Sequence, residues 1–367
     1  MNQDKLVFKE IFHNKKVLIT GHTGFKGSWL SLWLCLLGAK VVGISDSIPT
    51  TPSNFITCKL ENKLIDFRAN ICDTKKINKI INEVKPDFIF HLAAQSLVKV
   101  SYQEPLLTWQ TNTLGTVSIL ESLKCAKNKC VAIFITSDKS YDNLEWPWGY
   151  RENDKLGGID PYSASKGSAE FAIRSYFKSF FINSNIRIGV GRAGNVIGGG
   201  DWSKYRLVPD CMRSWSKGQE AIIRSPESTR PWQHVLEPLS GYLRLASKLY
   251  IDKEFSGEAF NFGPPANQNF SVIDVVKEMS KYWEKVKWEI DEASNRKESG
   301  LLKLNCDKAL TQLSWEPVWD FNKTISQTVN WYKLFYEDKS DLLKISSSQI
   351  ESYTKSAILK NSPWTNA

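Results

Sequence analysis

The sequence predicts an α/β protein: a doubly wound parallel sheet with a smaller, discontinuous C-terminal lobe. Two observations predict it. From Lys16 to Val190, short β-branched runs alternate with segments of helical apolar spacing, the pattern of parallel strands joined by crossover helices. After about Arg192 glycine, proline and tryptophan rise, as in Gly198-Gly199-Gly200-Asp201-Trp202 and Arg230-Pro231-Trp232, and the elements become shorter and less regular. The length of 367 residues suits one large α/β unit with an appended lobe as well as two domains. With 42% hydrophobic and 24% charged residues, disorder and low complexity are excluded for the bulk of the chain.

Each element has its own signal. Lys16 to Thr20 is a β-branched run ending at glycine, and Phe25 to Leu37 follows as a helix. Val41 to Ile44 is a second strand and Leu64 to Phe67 a weaker third. Asp73 to Val84 carries Ile77, Ile80, Ile81 and Val84 at helical spacing, with Asp73 placed to cap the first turn. Asp87 to Phe90 is a buried strand, and Pro105 opens a helix running to about Ala126. Its apolar face from Leu114 to Leu123 reads as core plus a subunit seam. Val131 to Thr136, Asp160 to Phe181 and Ile186 to Val190 add a strand, a helix and a strand. The expected division is residues 1–195 with about 232–256 in the sheet domain, 196–231 and 257–335 in the smaller lobe, and a serine-rich peripheral tail over 336–367.

Composition narrows the function classes. Lysine and arginine exceed aspartate and glutamate by 48 to 39, a net charge of +9, but the lysines are scattered and no block of like charges forms a nucleic-acid stripe. The seven cysteines include no C-x-x-C pair, which argues against a zinc site or a disulfide framework. Met1 to Phe12 carries charges and lacks a signal-peptide core, and the apolar stretch Ser28 to Leu37 is too short to span a bilayer. The expectation is a cytoplasmic protein with no membrane or nucleic-acid partner.

Thr20-Gly21-His22-Thr23-Gly24-Phe25-Lys26-Gly27 reads G-x-x-G-x-x-G between a strand and a helix. Glycines there allow a tight turn and a close approach to a pyrophosphate, which the free N–H groups of the helix start then face. Dinucleotide binding is expected, with His22 only lining the loop. Asp46, after the second strand, is placed to accept hydrogen bonds from ribose hydroxyls and to repel a 2′-phosphate, favouring NAD.

Tyr162-Ser163-Ala164-Ser165-Lys166 sets a phenol and an ammonium on one helix face. The cation is expected to lower the tyrosine pKa, so that the phenolate can take a proton from a sugar hydroxyl. The strand before that helix ends in Thr136-Ser137-Asp138-Lys139, at the edge of a parallel sheet where ligands bind. His91 reads as a satisfied core or turn histidine. Trp146 and Trp148 suit either a sugar wall or loop packing, and Arg206 either the nucleotide or the surface.

These motifs together resemble the extended short-chain dehydrogenase/reductases and, within them, the nucleotide-sugar 4,6-dehydratases. The similarity runs over roughly residues 12 to 335. Its longer segments are Gly21 to Leu30, Thr136 to Lys139 with Tyr141-Asp142-Asn143, Trp148 to Glu152, Arg192 to Trp202, and Arg230 to Val235; they are most similar to the branch acting on CDP-glucose. The resemblance implies a Rossmann sheet with tightly held NAD and conversion of CDP-glucose to its 4-keto-6-deoxy form. It implies Tyr162 as the base at O4, beside Lys166 and Ser137, and Asp138 as the acid at C6. Lys139 stands where relatives on dTDP-glucose carry a glutamate base for C5. Asn70, Ile71, Leu92, Ala93 and Ala94 fall at cofactor positions, Asn70 where relatives often have aspartate. Ser96, Ser137, Asn195, Arg206 and Arg230 fall on the substrate side. The resemblance further implies a homodimer through helices 105–126 and 160–181 and a place in deoxysugar biosynthesis, including that of O-antigens. The alternative is another NAD-dependent nucleotide-sugar 4,6-dehydratase or a 4-epimerase, although a pure epimerase needs no acid such as Asp138.

Overall fold

The computed structural model describes residues 7–265, 267–284, 286–291, 300–338 and 341–365. Its first half alternates as expected: β1 Lys16–Thr20, α1 Phe25–Leu36, β2 Lys40–Ser45, β3 Ile65–Arg68, α2 Thr74–Val84 and β4 Phe88–His91. α3, Gly115–Lys124, continues from Pro105–Trp109 through a π turn at Gln110–Leu114. β5 Cys130–Ile135, α4 Pro161–Tyr176 and β6 Ile186–Ala193 follow. Asp73 caps α2 by accepting from the Lys76 N–H. Asp160 caps α4 from the Ser163 N–H, with Pro161 in the first turn, where its missing N–H costs nothing.

α5, Leu236–Ile251, packs against β5 and β6 and leads to β7, Ala259–Phe262. All pairings in the central sheet are parallel, in the order β7-β6-β5-β4-β1-β2-β3. Successive side chains point to opposite faces. Val17, Ile19, Phe88, Phe90, Val131 and Ile133 meet α1 and α5, while Leu18, Ile89, Ala132 and Phe134 meet α2, α3 and α4. The strand order reverses between β1 and β4, and the crevice beyond their carboxyl ends is where such folds take ligands.

Two boundaries differ from the expectation. Ala259–Phe262, expected in the smaller lobe, pairs with Val190–Ala193 and forms the seventh strand of the sheet. The stretch 336–367 is not peripheral. α6 Phe321–Lys333 is followed by α7 Leu342–Leu359, which packs on α1 and α6. Leu342, Ser346, Ile350, Tyr353 and Ala357 recur at helical spacing on the buried face of α7, and Trp364 beyond it stacks on Phe8 at 4.7 Å. Its serines made that stretch look solvated, yet buried Ser346 accepts the Trp331 indole N–H at 2.9 Å. The smaller lobe is held by short two-stranded ladders, Val196–Ile197 with Gln233–His234 and Thr229–Arg230 with Phe270–Ser271 among them. All seven cysteines are free thiols.

Candidate active site

The glycine loop sits at the switch point. Gly21 has φ +75°, and a Cβ there would lie 2.7 Å from the Ala93 backbone nitrogen. A Cβ on Gly27 would fall 2.1 Å from the Gly21 carbonyl oxygen. Both contacts are with backbone, so β1, the loop and the first turn of α1 close on one another only as glycine. The resulting cradle, with free N–H groups at the start of a 12-residue helix, fits a pyrophosphate.

His22 is structural. It is wholly buried, its Nδ1 lies 3.0 Å from Ser45 Oγ and its Nε2 3.1 Å from Asp66 Oδ1. Burial lowers its pKa, with Asp66 opposing. Thr23 ties the loop to β2 by donating to the Ser47 carbonyl at 2.7 Å. Asp46 is exposed one residue past β2 and accepts from Ser47 Oγ. Leu92 and Ala93 leave β4 with their N–H groups donating to the Thr20 carbonyl and hydroxyl, and half-buried Ala94 follows. Asn70 Oδ1 accepts from the Cys72 N–H, and Ile71 packs on Gly115. His91 is a core residue, bonded to Thr20 at 2.7 Å and Thr116 at 3.1 Å; burial drives it down to about 3, so it is neutral.

β5 delivers the polar turn. Ser137 Oγ donates to Asp138 Oδ1 at 2.9 Å and accepts from the Lys139 N–H at 3.2 Å. Asp138 is 2% exposed, and its Oδ2 has no hydrogen-bond partner among the described residues. The chain passes close by because residue 194 is glycine: a Cβ there would lie 3.0 Å from Oδ2. Lys139 is half-buried beside it.

α4 brings Tyr162 and Lys166 to the same point. Burial pushes the phenol up to about 12, and the Ser137 hydroxyl, bonded to it, pulls it back. After burial, the leading influences on Tyr162 are Ser137, Asp138 and Arg206. The Lys166 ammonium donates to the Ile135 carbonyl at 3.3 Å, and burial brings it down to about 8 against the pull of Glu170. The Arg206 charge lowers Tyr162. Arg206 is held by buried Asp201 at 2.7 Å and reaches Ser96 Oγ at 3.3 Å. Its side chain is a third exposed, and these partners turn it toward Tyr162 and Ser96. Lys26 joins this group: burial first, then the Arg206 charge, bring it down to about 7, with Asp138 opposing.

Asn195 accepts the Gln233 N–H through its carbonyl, and Arg230, 8% exposed, donates to the Thr229 carbonyl at 2.7 Å. Trp146 stacks on Tyr150 at 5.5 Å, and Tyr150 on Tyr141 at 5.1 Å, so this ladder is loop packing. Sequence reasoning missed Asp201, Glu170 and Arg192. It also missed Asn112, which holds the Gln95 backbone and Ser165 Oγ together. Only their polarity at buried periodic positions could have signalled them.

The model of the family described as GDP-mannose 4,6 dehydratase matches residues 18–328. Over 354 residues the chain is 46% identical to CDP-glucose 4,6-dehydratase of Salmonella typhimurium, covering 95% of this chain and 98% of that protein. Among solved structures, UDP-glucose 4-epimerase with UDP-glucose from Thermotoga maritima superposes with a TM-score of 0.74 at 23% identity, covering 88% of this chain and all of that one. The dTDP-glucose 4,6-dehydratase of Bacillus anthracis in complex with NAD gives 0.71 at 21% identity, over 87% and 96% of the two chains.

Proposed function

The chain belongs to the GDP-mannose 4,6 dehydratase family, and on that premise we propose that it converts CDP-glucose to CDP-4-keto-6-deoxyglucose and water with tightly bound NAD. The observation that carries this reading is the 46% identity along 95% of the chain to a protein of that activity. The convergence of Tyr162, Ser137, Asp138 and Lys166 beside the glycine cradle supports it.

Gly21, Gly24 and Gly27 with the start of α1 would hold the NAD pyrophosphate, Asp46 the ribose, and Asn70 and Ile71 the adenine end. Bound there, NAD would supply reversible hydride transfer, with C4 of the sugar as donor and C6 as final acceptor. Tyr162 removes the O4 proton, which its bond to Ser137 and the nearby Arg206 charge assist. The resulting 4-ketone acidifies the C5 hydrogen. A base removes that proton as Asp138 protonates the departing C6 hydroxyl, so one water leaves. Lys139 is the candidate base. Asn195, Arg206 and Arg230 anchor the diphosphate, with Ser96 alongside; a guanidinium suits this by its forked donors.

We further infer a homodimer. Leu106, Leu107 and Leu114 before α3 and Phe171 on α4 are exposed, an apolar patch that the same helices of a second copy would cover. A cytoplasmic location agrees with seven free thiols, and no described helix is long and apolar enough to cross a membrane.

The test is incubation of the purified protein with a panel of nucleotide-glucoses and no added NAD. Loss of one water from CDP-glucose, with a 4-keto-6-deoxy product by NMR, is expected. Inversion at C4 without loss of water would establish an epimerase instead.

A further inference from the structure

A buried ion pair lies directly behind the reacting groups. Glu170 and Arg192 are 5% and 3% exposed. Arg192 Nε donates to Glu170 Oε1 at 2.8 Å, and Nη2 to Oε2. The same Oε1 accepts from Thr136 Oγ1 at 2.6 Å and Ser140 Oγ at 3.2 Å. Thr136 and Ser140 bracket the Ser137–Lys139 turn. Arg192 is fixed in its turn by Tyr141, whose hydroxyl accepts from Nη1 at 2.6 Å, and by the Glu152 carbonyl at 2.9 Å. Tyr141 then donates to Asn261 on β7 at 2.8 Å. Glu170 also stands four residues after Lys166 on α4, one turn away on the same face.

We propose that Glu170, held by Arg192, is a positioning residue for the reaction: one carboxylate oxygen ties both ends of the turn carrying Ser137, Asp138 and Lys139 to the helix carrying Tyr162 and Lys166, and its charge balances Lys166. This rests on the function proposed above. A simple packing role does not account for the arrangement. A buried pair is stabilising only where its remaining lone pairs are satisfied, and here the satisfying donors are the two hydroxyls flanking the catalytic turn. The other ionisable groups acting with Lys166 are Lys26 at the first turn of α1 and neutral His91 at the end of β4. The other carboxylate nearby, Asp138, acts on Lys26 and Tyr162, and the carboxylate that raises Lys166 is Glu170.

The experiment compares wild type, Glu170→Gln and Glu170→Asp as holoenzymes, by the pH dependence of kcat and by ¹⁵N NMR of lysine side chains, with the Lys166 signal assigned by its loss in Lys166→Met. In Glu170→Gln the alkaline limb of kcat and the Lys166 titration should both move to lower pH by about one unit. Glu170→Asp should restore both positions, even at reduced kcat. Loss of thermal stability with both curves unmoved would overturn the charge-balancing role. Thr136→Val keeps the ion pair and cuts one tie, so kcat should fall about tenfold with KM and the alkaline limb unchanged. An unaltered kcat in Thr136→Val would overturn the positioning role, whether or not the Glu170 variants fold. The NMR titration needs no substrate. Wild type inactive on CDP-glucose would therefore refute the proposed function alone, with the Lys166 shift still read.

Discussion

The C-terminal helix is latched by one carboxylate, and Tyr353→Phe measures the latch. Glu237 on α5 is 1% exposed and accepts three hydrogen bonds: the Val318 N–H at 2.8 Å, the Trp319 N–H at 2.7 Å and the Tyr353 hydroxyl at 2.6 Å. Burial pushes its pKa from the ordinary 4.5 up to about 7, against the pull of those donors. The folded state therefore binds the proton more tightly than the unfolded chain does. This group's contribution to stability is full below about pH 4.5, falls as pH rises to about 7, and is constant above; 2.5 units correspond to about 3 kcal/mol.

Removing the Tyr353 hydroxyl deletes a donor to an ionised oxygen above pH 7, at a cost of about 2 kcal/mol. Below pH 5 the carboxyl is protonated and the lost bond is neutral, costing about 1 kcal/mol. At about 2.1 cal/mol/K per residue, a chain of 367 residues has an unfolding entropy near 0.8 kcal/mol/K, so the melting temperature should fall about 3 °C at pH 8 and about half as much at pH 5. Scanning calorimetry of both proteins across that range is the assay. A deficit that is absent at pH 8, or larger in acid than in base, would refute the reasoning.

Tyr162→Phe should lower turnover by roughly 10²–10⁴-fold with little change in substrate affinity, since it leaves the anchors Asn195, Arg206 and Arg230 in place; near-normal steady-state rates would remove Tyr162 from the mechanism. Gly27→Ala puts a Cβ 2.1 Å from the Gly21 oxygen, so the protein should purify without bound NAD while keeping its far-UV circular dichroism; full occupancy would contradict the cradle. Lys139→Gln should still oxidise C4 but fail to exchange the C5 hydrogen with solvent, as read by deuterium incorporation; normal exchange would place the base elsewhere. Lys26, drawn down to about 7, should take up a proton when an anionic ligand settles beside it, so calorimetric binding enthalpies for CDP at pH 8 should vary with the ionisation enthalpy of the buffer; no such variation would leave Lys26 outside the ligand's field.

How much of this was legible in the sequence follows from the range of each interaction. The strand–helix alternation from Lys16 to Val190 is written in local periodicity; five of the seven strands are read within a residue of their ends, and a sixth is read three residues short, to Val190 rather than Ala193. The seventh, Ala259–Phe262, has only four residues and follows its crossover helix α5 after a loop over 252–258. Only its pairing with β6 defines it. The tail was misjudged for a related reason. Six serines from Ser340 to Ser356 describe a solvated segment by composition. Whether a serine is solvated depends on what faces it, and Ser346 faces Trp331 and Cys58. Tryptophan and tyrosine at 331 and 353 make such polar contacts affordable inside a core, since each brings a large apolar surface with one donor to place.

The site divides along the same line. The glycine loop, the Tyr162–Lys166 pair and the Ser137–Lys139 turn are contiguous motifs whose chemistry can be named from residue types. What sets their electrostatics is not contiguous. Arg206 reaches Tyr162 from the smaller lobe, Asp201 orients Arg206, and Glu170 answers Lys166 from the next turn of its helix. The expectation that the Lys166 cation lowers the tyrosine used only the neighbour visible in the motif. Burial raises Tyr162, and the groups that counter it are Ser137 on the turn after β5 and Arg206 from the smaller lobe. The net charge of +9 finds its use at this scale. Lys26, Lys166 and Arg206 share one crevice near Asp138; burial depresses both lysines, and at Lys26 the Arg206 and Lys166 charges add to it. Such cations suit a ligand that brings its own negative charge, a dinucleotide on one side and a nucleoside diphosphate sugar on the other. The same charge spread along an open face would have suited a nucleic acid instead.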